Sequence, residues 1–258
     1  MINEFDKMKK IVPLLIITLL LFSFQTSKIV TIWMIGDSTM ANKEVKAYPE
    51  TGWGMPFAYF FDSLVTIENR AKNGRSTRTF ISEKLWQPVA DNIKEGDYVF
   101  IQFGHNDESK EKTDRYTSPE EYKSNLIKFV NETRIKKGIP VLLTPVSRRY
   151  FDSLGKIKET HLIYSALVHE VADKMKVAFI DLDSQSRQML QKFGAENSKL
   201  LFMQLDPGEH PNYPEGRNDN THFNELGARK MAELVLANIK SLHLDLANHI
   251  RQPLVLKK

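Results

Sequence analysis

Apolar residues along the chain concentrate in short runs, separated by longer stretches in which they recur every three or four positions. The runs are Val30–Ile35, Val65–Glu68, Tyr98–Phe103, Pro140–Thr144 and Val177–Ile180. Apolar runs of this length are what strands covered on both faces look like. Helical spacing covers Pro56–Leu64, Pro119–Lys136, Glu159–Lys174, Ser184–Phe193 and Glu225–Ile239, with Ser118 and Asn224 placed as N-caps. Strands alternating with helices predict parallel strands joined by helical crossovers. The expected fold is α/β: a three-layer α/β/α domain around a doubly wound five-stranded parallel sheet. In such sheets ligands bind outside the carboxyl ends of the strands, near the point where strand order reverses, so the loops after the strands carry the interest. Leu205–Thr221, rich in Pro, Gly and Asn, reads as one long irregular loop, a kind of segment that is often functional. The tail after Ser241 reads as surface chain.

The N-terminus breaks this alternation. Lys7, Lys9 and Lys10 precede an apolar run from Ile11 to Phe24, which gives way to Thr26 and Ser27. A basic start, a short apolar stretch interrupted by Pro13 and a small polar exit make the pattern of an export signal, too short to span a bilayer comfortably. Residues 1–27 are therefore expected to be a signal peptide and 28–258 one catalytic domain, periplasmic or extracellular, with no stable membrane span once the signal is cleaved. With 258 residues, 41% of them hydrophobic, the chain can bury the core of one medium domain and falls short of two. Its 36 basic and 32 acidic residues give +4, spread without a polybasic block, so nucleic acid is not an expected partner. The absence of cysteine excludes disulfides, a thiolate nucleophile and cysteine-ligated zinc.

Candidate chemistry gathers where the strands end. The first strand runs into Gly36-Asp37-Ser38-Thr39-Met40, a place where a glycine turn can expose a serine hydroxyl. Read alone, Gly-Asp-Ser is equally a plain turn. A serine nucleophile needs a base, and an imidazole serves best when a carboxylate fixes its tautomer. Asp219-Asn220-Thr221-His222 offers both groups, although Asp219 read alone is equally a helix cap. Acyl transfer also needs donors aimed at an oxyanion. Asn73-Gly74-Arg75-Ser76 after the second strand and Gly104-His105-Asn106-Asp107 after the third can supply a glycine N–H and an amide, beside the N–H of Ser38.

Taken together and in order, Gly36-Asp37-Ser38, Gly74, Gly104-His105-Asn106-Asp107 and Asp219-x-x-His222 resemble the four sequence blocks of the SGNH (GDSL-type) hydrolase superfamily, whose fold is flavodoxin-like. Gly36-Asp37-Ser38-Thr39-Met40, Asn73-Gly74-Arg75-Ser76-Thr77-Arg78, Gln102-Phe103-Gly104-His105-Asn106-Asp107 and Thr221-His222-Phe223 are similar to the rhamnogalacturonan acetylesterase branch, carbohydrate esterase family 12. The resemblance implies Ser38 as nucleophile, His222 as base, Asp219 as its orienter, and Ser38, Gly74 and Asn106 as oxyanion donors. It further implies an acetylated polysaccharide or oligosaccharide as substrate and no cofactor.

Other residues widen the picture. Arg75, Arg78, Arg148 and Arg149 follow strand ends and can face uronate carboxylates, as ordinary salt bridges can also explain. Trp53, Tyr48 and Trp86 can stack on sugar rings or fill the core. Asp37, His105, Asp107, Asp219 and His222 form the ligand set of a rival metal-dependent hydrolase, although no His-x-x-x-His or comparable pair occurs. A carbohydrate-binding protein without turnover, and an esterase of xylan, lipid or thioester substrates, are the remaining alternatives.

Overall fold

In the computed structural model, residues 29–252 are described, and the N-terminal segment expected to be an export signal lies outside them. Five parallel strands, β1 (Val30–Gly36), β2 (Val65–Asn69), β3 (Tyr98–Gln102), β4 (Ile139–Leu143) and β5 (Ala178–Ile180), form one sheet in the order β2-β1-β3-β4-β5. From β1 the chain moves outward to β2 and returns on the other side of β1 to make β3. Strand order therefore reverses between β1 and β3, and their carboxyl ends flank the expected ligand position.

The helices are α1 (Gly54–Phe57), α2 (Thr77–Ser82), α3 (Gln87–Asn92), α4 (Pro119–Ile135), α5 (Leu162–Met175), α6 (Leu182–Asn197) and α7 (Glu225–Ser241). Successive strand residues point to opposite faces, and each face builds its own core. On one, Ile32, Met34, Phe100 and Val141 pack with Met231, Val235 and Ile239 of α7. On the other, Trp33, Ile35, Val99 and Ile101 pack with Leu126 and Phe129 of α4 and with Val168 and Val171 of α5. This is the expected three-layer arrangement. Both expected caps are made: Ser118 Oγ accepts from Glu121 N at 3.2 Å, and Asn224 Oδ1 from Gly227 N at 3.0 Å.

Several boundaries differ from the sequence reading. The helix expected over Pro56–Leu64 shrinks to α1 and a 3-10 turn at Ala58–Phe60, because Phe61 leaves to bridge Ile250. The short α2 and α3 have too few turns to show a period, and α2 starts from a reciprocal Ser76–Thr79 capping box. The helix expected from Ser184 begins at Leu182, after Asp181 caps it, and Gly194 interrupts it with φ 75°. The expected loop at Leu205–Thr221 is irregular over residues 206–216, but its ends are strand: β6 (Phe202–Leu205) pairs antiparallel with β7 (Arg217–Phe223). The C-terminal tail packs in, with Leu246 buried and Arg251 N–H donating to Phe60 O at 2.8 Å. Among the described residues no helix is long and apolar enough to cross a membrane.

Candidate active site

β1 ends at Gly36 because nothing larger fits: a Cβ there would lie 2.5 Å from the Gln102 carbonyl oxygen of β3. The next residue turns the chain. Asp37 Oδ1 accepts from Thr39 N at 3.0 Å and Thr39 Oγ1 at 2.8 Å, while its carbonyl accepts from Ala41 N at 3.1 Å. Ser38 sits on the outside of this turn. Beneath it, the Lys43 ammonium donates to Ser38 O at 2.6 Å and Asn73 Oδ1 at 2.8 Å and pairs with Glu50 Oε1 at 2.8 Å, with its side chain 1% exposed. Three donors meet three acceptors.

His222 reaches Ser38 by way of a bulge. Phe202 pairs with Phe223 and Met203 with Asp219, so Asn220, Thr221 and His222 have no ladder partners on β6 and bow out of the ribbon. His222 Nε2 lies 2.9 Å from Ser38 Oγ, and Nδ1 lies 2.8 Å from Asp219 Oδ2. The other carboxylate oxygen, Asp219 Oδ1, accepts from Thr221 N at 2.8 Å and His222 N at 3.0 Å; Arg217 Nη2 donates to Oδ2 at 2.8 Å. Burial alone would raise the Asp219 pKa, but the hydrogen bonds and charge of His222, with Arg217, overcome it and hold the carboxyl far below its ordinary value. An ionised Asp219 accepts from Nδ1–H, which leaves Nε2 as the acceptor for the serine proton.

The facing wall comes from the loops after β2 and β3. Gly74 has φ 74°, and the preceding carbonyl, Asn73 O, accepts from Arg75 Nη1 at 2.9 Å. Asn106 Nδ2 donates to Arg75 O at 3.0 Å, which fixes the amide and leaves its second N–H available. Among the described residues no acceptor is found for the backbone N–H of Ser38 or Gly74. Thr77 N and Oγ1 donate to Asp107 Oδ1 at 2.8 and 2.6 Å, bracing the two loops together. The resulting cavity, about 450 Å³, is lined by Ser38, Gly74, Asn106, Arg148, Asp219 and His222 among others.

Other expected site residues are used elsewhere. Trp53 is fully buried and its Nε1 donates to Gln102 Oε1 at 2.5 Å, so it offers no face to a sugar. Trp86 is buried against Phe129, and its Nε1 is bonded to Glu132. Arg149 is 8% exposed; it donates to Ser198 Oγ at 3.0 Å, Asn220 Oδ1 at 2.6 Å and Ala195 O, fastening the bulge to the end of α6. Arg75 pairs with Glu83, and Arg78 donates to Thr113 O at 2.7 Å. Tyr48 is exposed beside His210. Of the four arginines only Arg148 lines the cavity, bonded to Thr221 Oγ1 at 2.8 Å and paired with Glu108 at 3.3 Å.

The five residues of the rival ligand set do not converge either. Asp37 and Asp107 each spend an oxygen on a threonine, Asp219 and His222 hold each other, and His105 stacks edge-on to His161 with ring centroids 4.4 Å apart. Among the described residues no group of three or more such side chains is arranged to hold a metal ion. Burial, with nearby His161 and Arg148, holds the His105 pKa well below its ordinary value. Burial also raises Asp37 and pushes Asp107 up to about 7. Sequence reasoning missed Lys43, Lys112 and Arg115. The last two stand on the cavity wall, Arg115 so near the oxyanion loop that a Cβ on Gly74 would lie 3.2 Å from its Nη1.

Comparison with known proteins settles the family. Residues 34–230 match the model of the GDSL-like lipase/acylhydrolase family. The chain belongs to that family. Among relatives of this GDSL-like acylhydrolase, the rhamnogalacturonan acetylesterase RhgT of Bacillus subtilis is 39% identical over 223 residues, covering 86% of this chain and 95% of the relative. A rhamnogalacturonan acetylesterase of Emericella nidulans is 28% identical over 226 residues, covering 80% and 83%. Among solved structures, YxiM of Bacillus subtilis superposes with a TM-score of 0.72 at 25% identity, covering 84% of this chain; the chain spans 57% of that longer protein. An acetylxylan esterase of Geobacillus stearothermophilus shares the fold, with a TM-score of 0.58 at 17% identity over 82% and 96% of the two chains. Like other GDSL-like acylhydrolases, the chain is a carboxylic ester hydrolase.

Proposed function

We propose that this esterase removes acetyl groups from rhamnogalacturonan through an acetyl-serine intermediate on Ser38. The observation that carries the reading is the 2.9 Å contact between Ser38 Oγ and a His222 whose other ring nitrogen is held by Asp219. His222 Nε2 takes the hydroxyl proton as Oγ attacks the ester carbonyl, and Asp219 stabilises the imidazolium that forms. Negative charge on the carbonyl oxygen is met by the N–H groups of Ser38 and Gly74 and by the Asn106 amide. When the tetrahedral species collapses, the imidazolium protonates the departing sugar oxygen. Water, deprotonated by His222, then attacks the acetyl-serine and releases acetate. No metal or cofactor enters these steps.

The substrate follows from the relatives, which carry the name rhamnogalacturonan acetylesterase at 39% and 28% identity. The signal-like pattern of residues 1–27 supports export to the periplasm or beyond, which suits a polymer met outside the cytoplasm. Acetate release from acetylated rhamnogalacturonan and from acetylated xylan, with wild type and Ser38→Ala side by side, tests the reading. The expected result is release from the pectic substrate, lowered by about a millionfold or to background in the variant. Release confined to xylan would overturn the substrate, and release persisting in the variant would overturn the serine mechanism.

A further inference from the structure

The catalytic cavity does not end at the oxyanion corner. Asn73, exposed on its rim, also lines a second concavity of about 700 Å³. Both volumes lie within the range of roughly 300–1,000 Å³ usual for ligand clefts. The second has accessible apolar groups in Leu85 and Pro88, suited to the C–H faces of sugar rings.

Charge distinguishes this side from the other. The one acid lining the second concavity, Glu44, pairs with Lys46 at 2.7 Å and also feels the charge of Lys72, whereas neither Lys72 nor Lys84 forms an ion pair among the described residues. In the catalytic cavity Lys112 is likewise unpaired, and the acids Glu50 and Asp219 are taken up by Lys43 and by His222 with Arg217. A third concavity, about 680 Å³ beside the β6–β7 hairpin, has the opposite character. It presents Asp206, Glu209 and Glu215, while its cations Lys199 and Arg217 are committed to Glu196 and Asp219. A polyanion leaving the cavity is thus attracted over Asn73 and repelled along the hairpin.

We propose that the Lys72–Lys84 concavity is a binding track for the uronate residues that flank the acetylated sugar, so that the enzyme grips an acidic polysaccharide over several sugars. Lys112 meets carboxylates within the cavity; Lys72 and Lys84 meet those farther along the chain. The inference rests on the deacetylation assigned above to Ser38, and adds the direction and chemistry of polymer binding.

The test is a ratio, kcat/KM on acetylated rhamnogalacturonan divided by kcat/KM on the neutral ester 4-nitrophenyl acetate. Replacing Lys72 and Lys84 together by Glu is expected to lower it about tenfold, the size of two modest exposed charge interactions. Wild type assayed on carboxyl-reduced polymer, which needs no variant to fold, is expected to show a similar fall. An unchanged ratio in either measurement overturns the track. Serine dependence is read separately, from neutral-ester turnover in Ser38→Ala, so failure of the track and failure of the catalytic reading are distinguishable.

Discussion

Lys43 shows how much one side chain can hold in place. Burying an ammonium costs several kcal/mol unless its donors find acceptors, and Lys43 finds them on the nucleophile turn, the oxyanion loop and Glu50. Lys43→Met removes the link between Ser38 and Asn73 while keeping much of the volume. Because small misplacements of reacting groups can slow turnover by about a hundredfold, steady-state kinetics on a neutral ester should show kcat falling by roughly ten- to a hundredfold with a much smaller change in KM. Asp107 makes a prediction in pH. Its folded pKa, about 7, lies above that of the unfolded chain, so the native state binds the extra proton between roughly pH 4 and 7. Its contribution to stability is fully present below pH 4 and is lost as pH rises to 7, at up to about 1.4 kcal/mol per pH unit. Asp107→Asn should therefore gain stability relative to wild type as pH is raised through that window. Denaturant midpoints measured from pH 4 to 8 check this, and a constant difference would contradict it.

Among the elements, the inner strands β1, β3 and β4 were legible because both their faces are buried and their residues are nearly all apolar, while the half-buried edge strands β2 and β5 still carry two or three apolar residues in a short stretch. The β6–β7 ribbon was hidden for the opposite reason. Arg217-Asn218-Asp219-Asn220-Thr221 carries no apolar alternation, and the strand is held by its ladder and by Phe223 packed on Phe202. Sequence spacing showed that Asp219 could reach His222 but gave no sign of the bulge that delivers the pair to Ser38. Lys43, Lys112 and Arg115 lie in segments without a period, and the Asn73 partner of Lys43 is remote in sequence, so no pattern marked them. For Trp53 both readings stood open, because residue type alone does not tell a buried indole from a stacking one, and the structure buries it. At the start of α7, Asn224 does more than cap: its Nδ2 also donates to Leu200 O at 2.9 Å and Phe202 O at 3.2 Å, tying helix to ribbon. Asn224→Ala should therefore destabilise the protein by about 1–2 kcal/mol, at the upper end for a lost cap, as read from the urea midpoint.

At the scale of the whole molecule, the sheet supplies a fixed edge and the loops supply the chemistry. The reversal of strand order places Ser38 and Asn106 on neighbouring strand ends, and the two cores on either side hold that edge rigid without a disulfide. The last described segment closes the molecule from the side of the chain far from this edge. Arg251 N–H donates to Phe60 O at 2.8 Å, Asp62 N–H to His249 O at 2.9 Å, and the His249 ring meets the Asp62 carboxylate at 3.1 Å. This clasp joins residues 249–251 to the turn at 60–62 that leads into β2, with Leu246 buried beneath. A carboxypeptidase digesting inward would have to break these backbone bonds to pass Arg251, so trimming should stall there and leave the core closed.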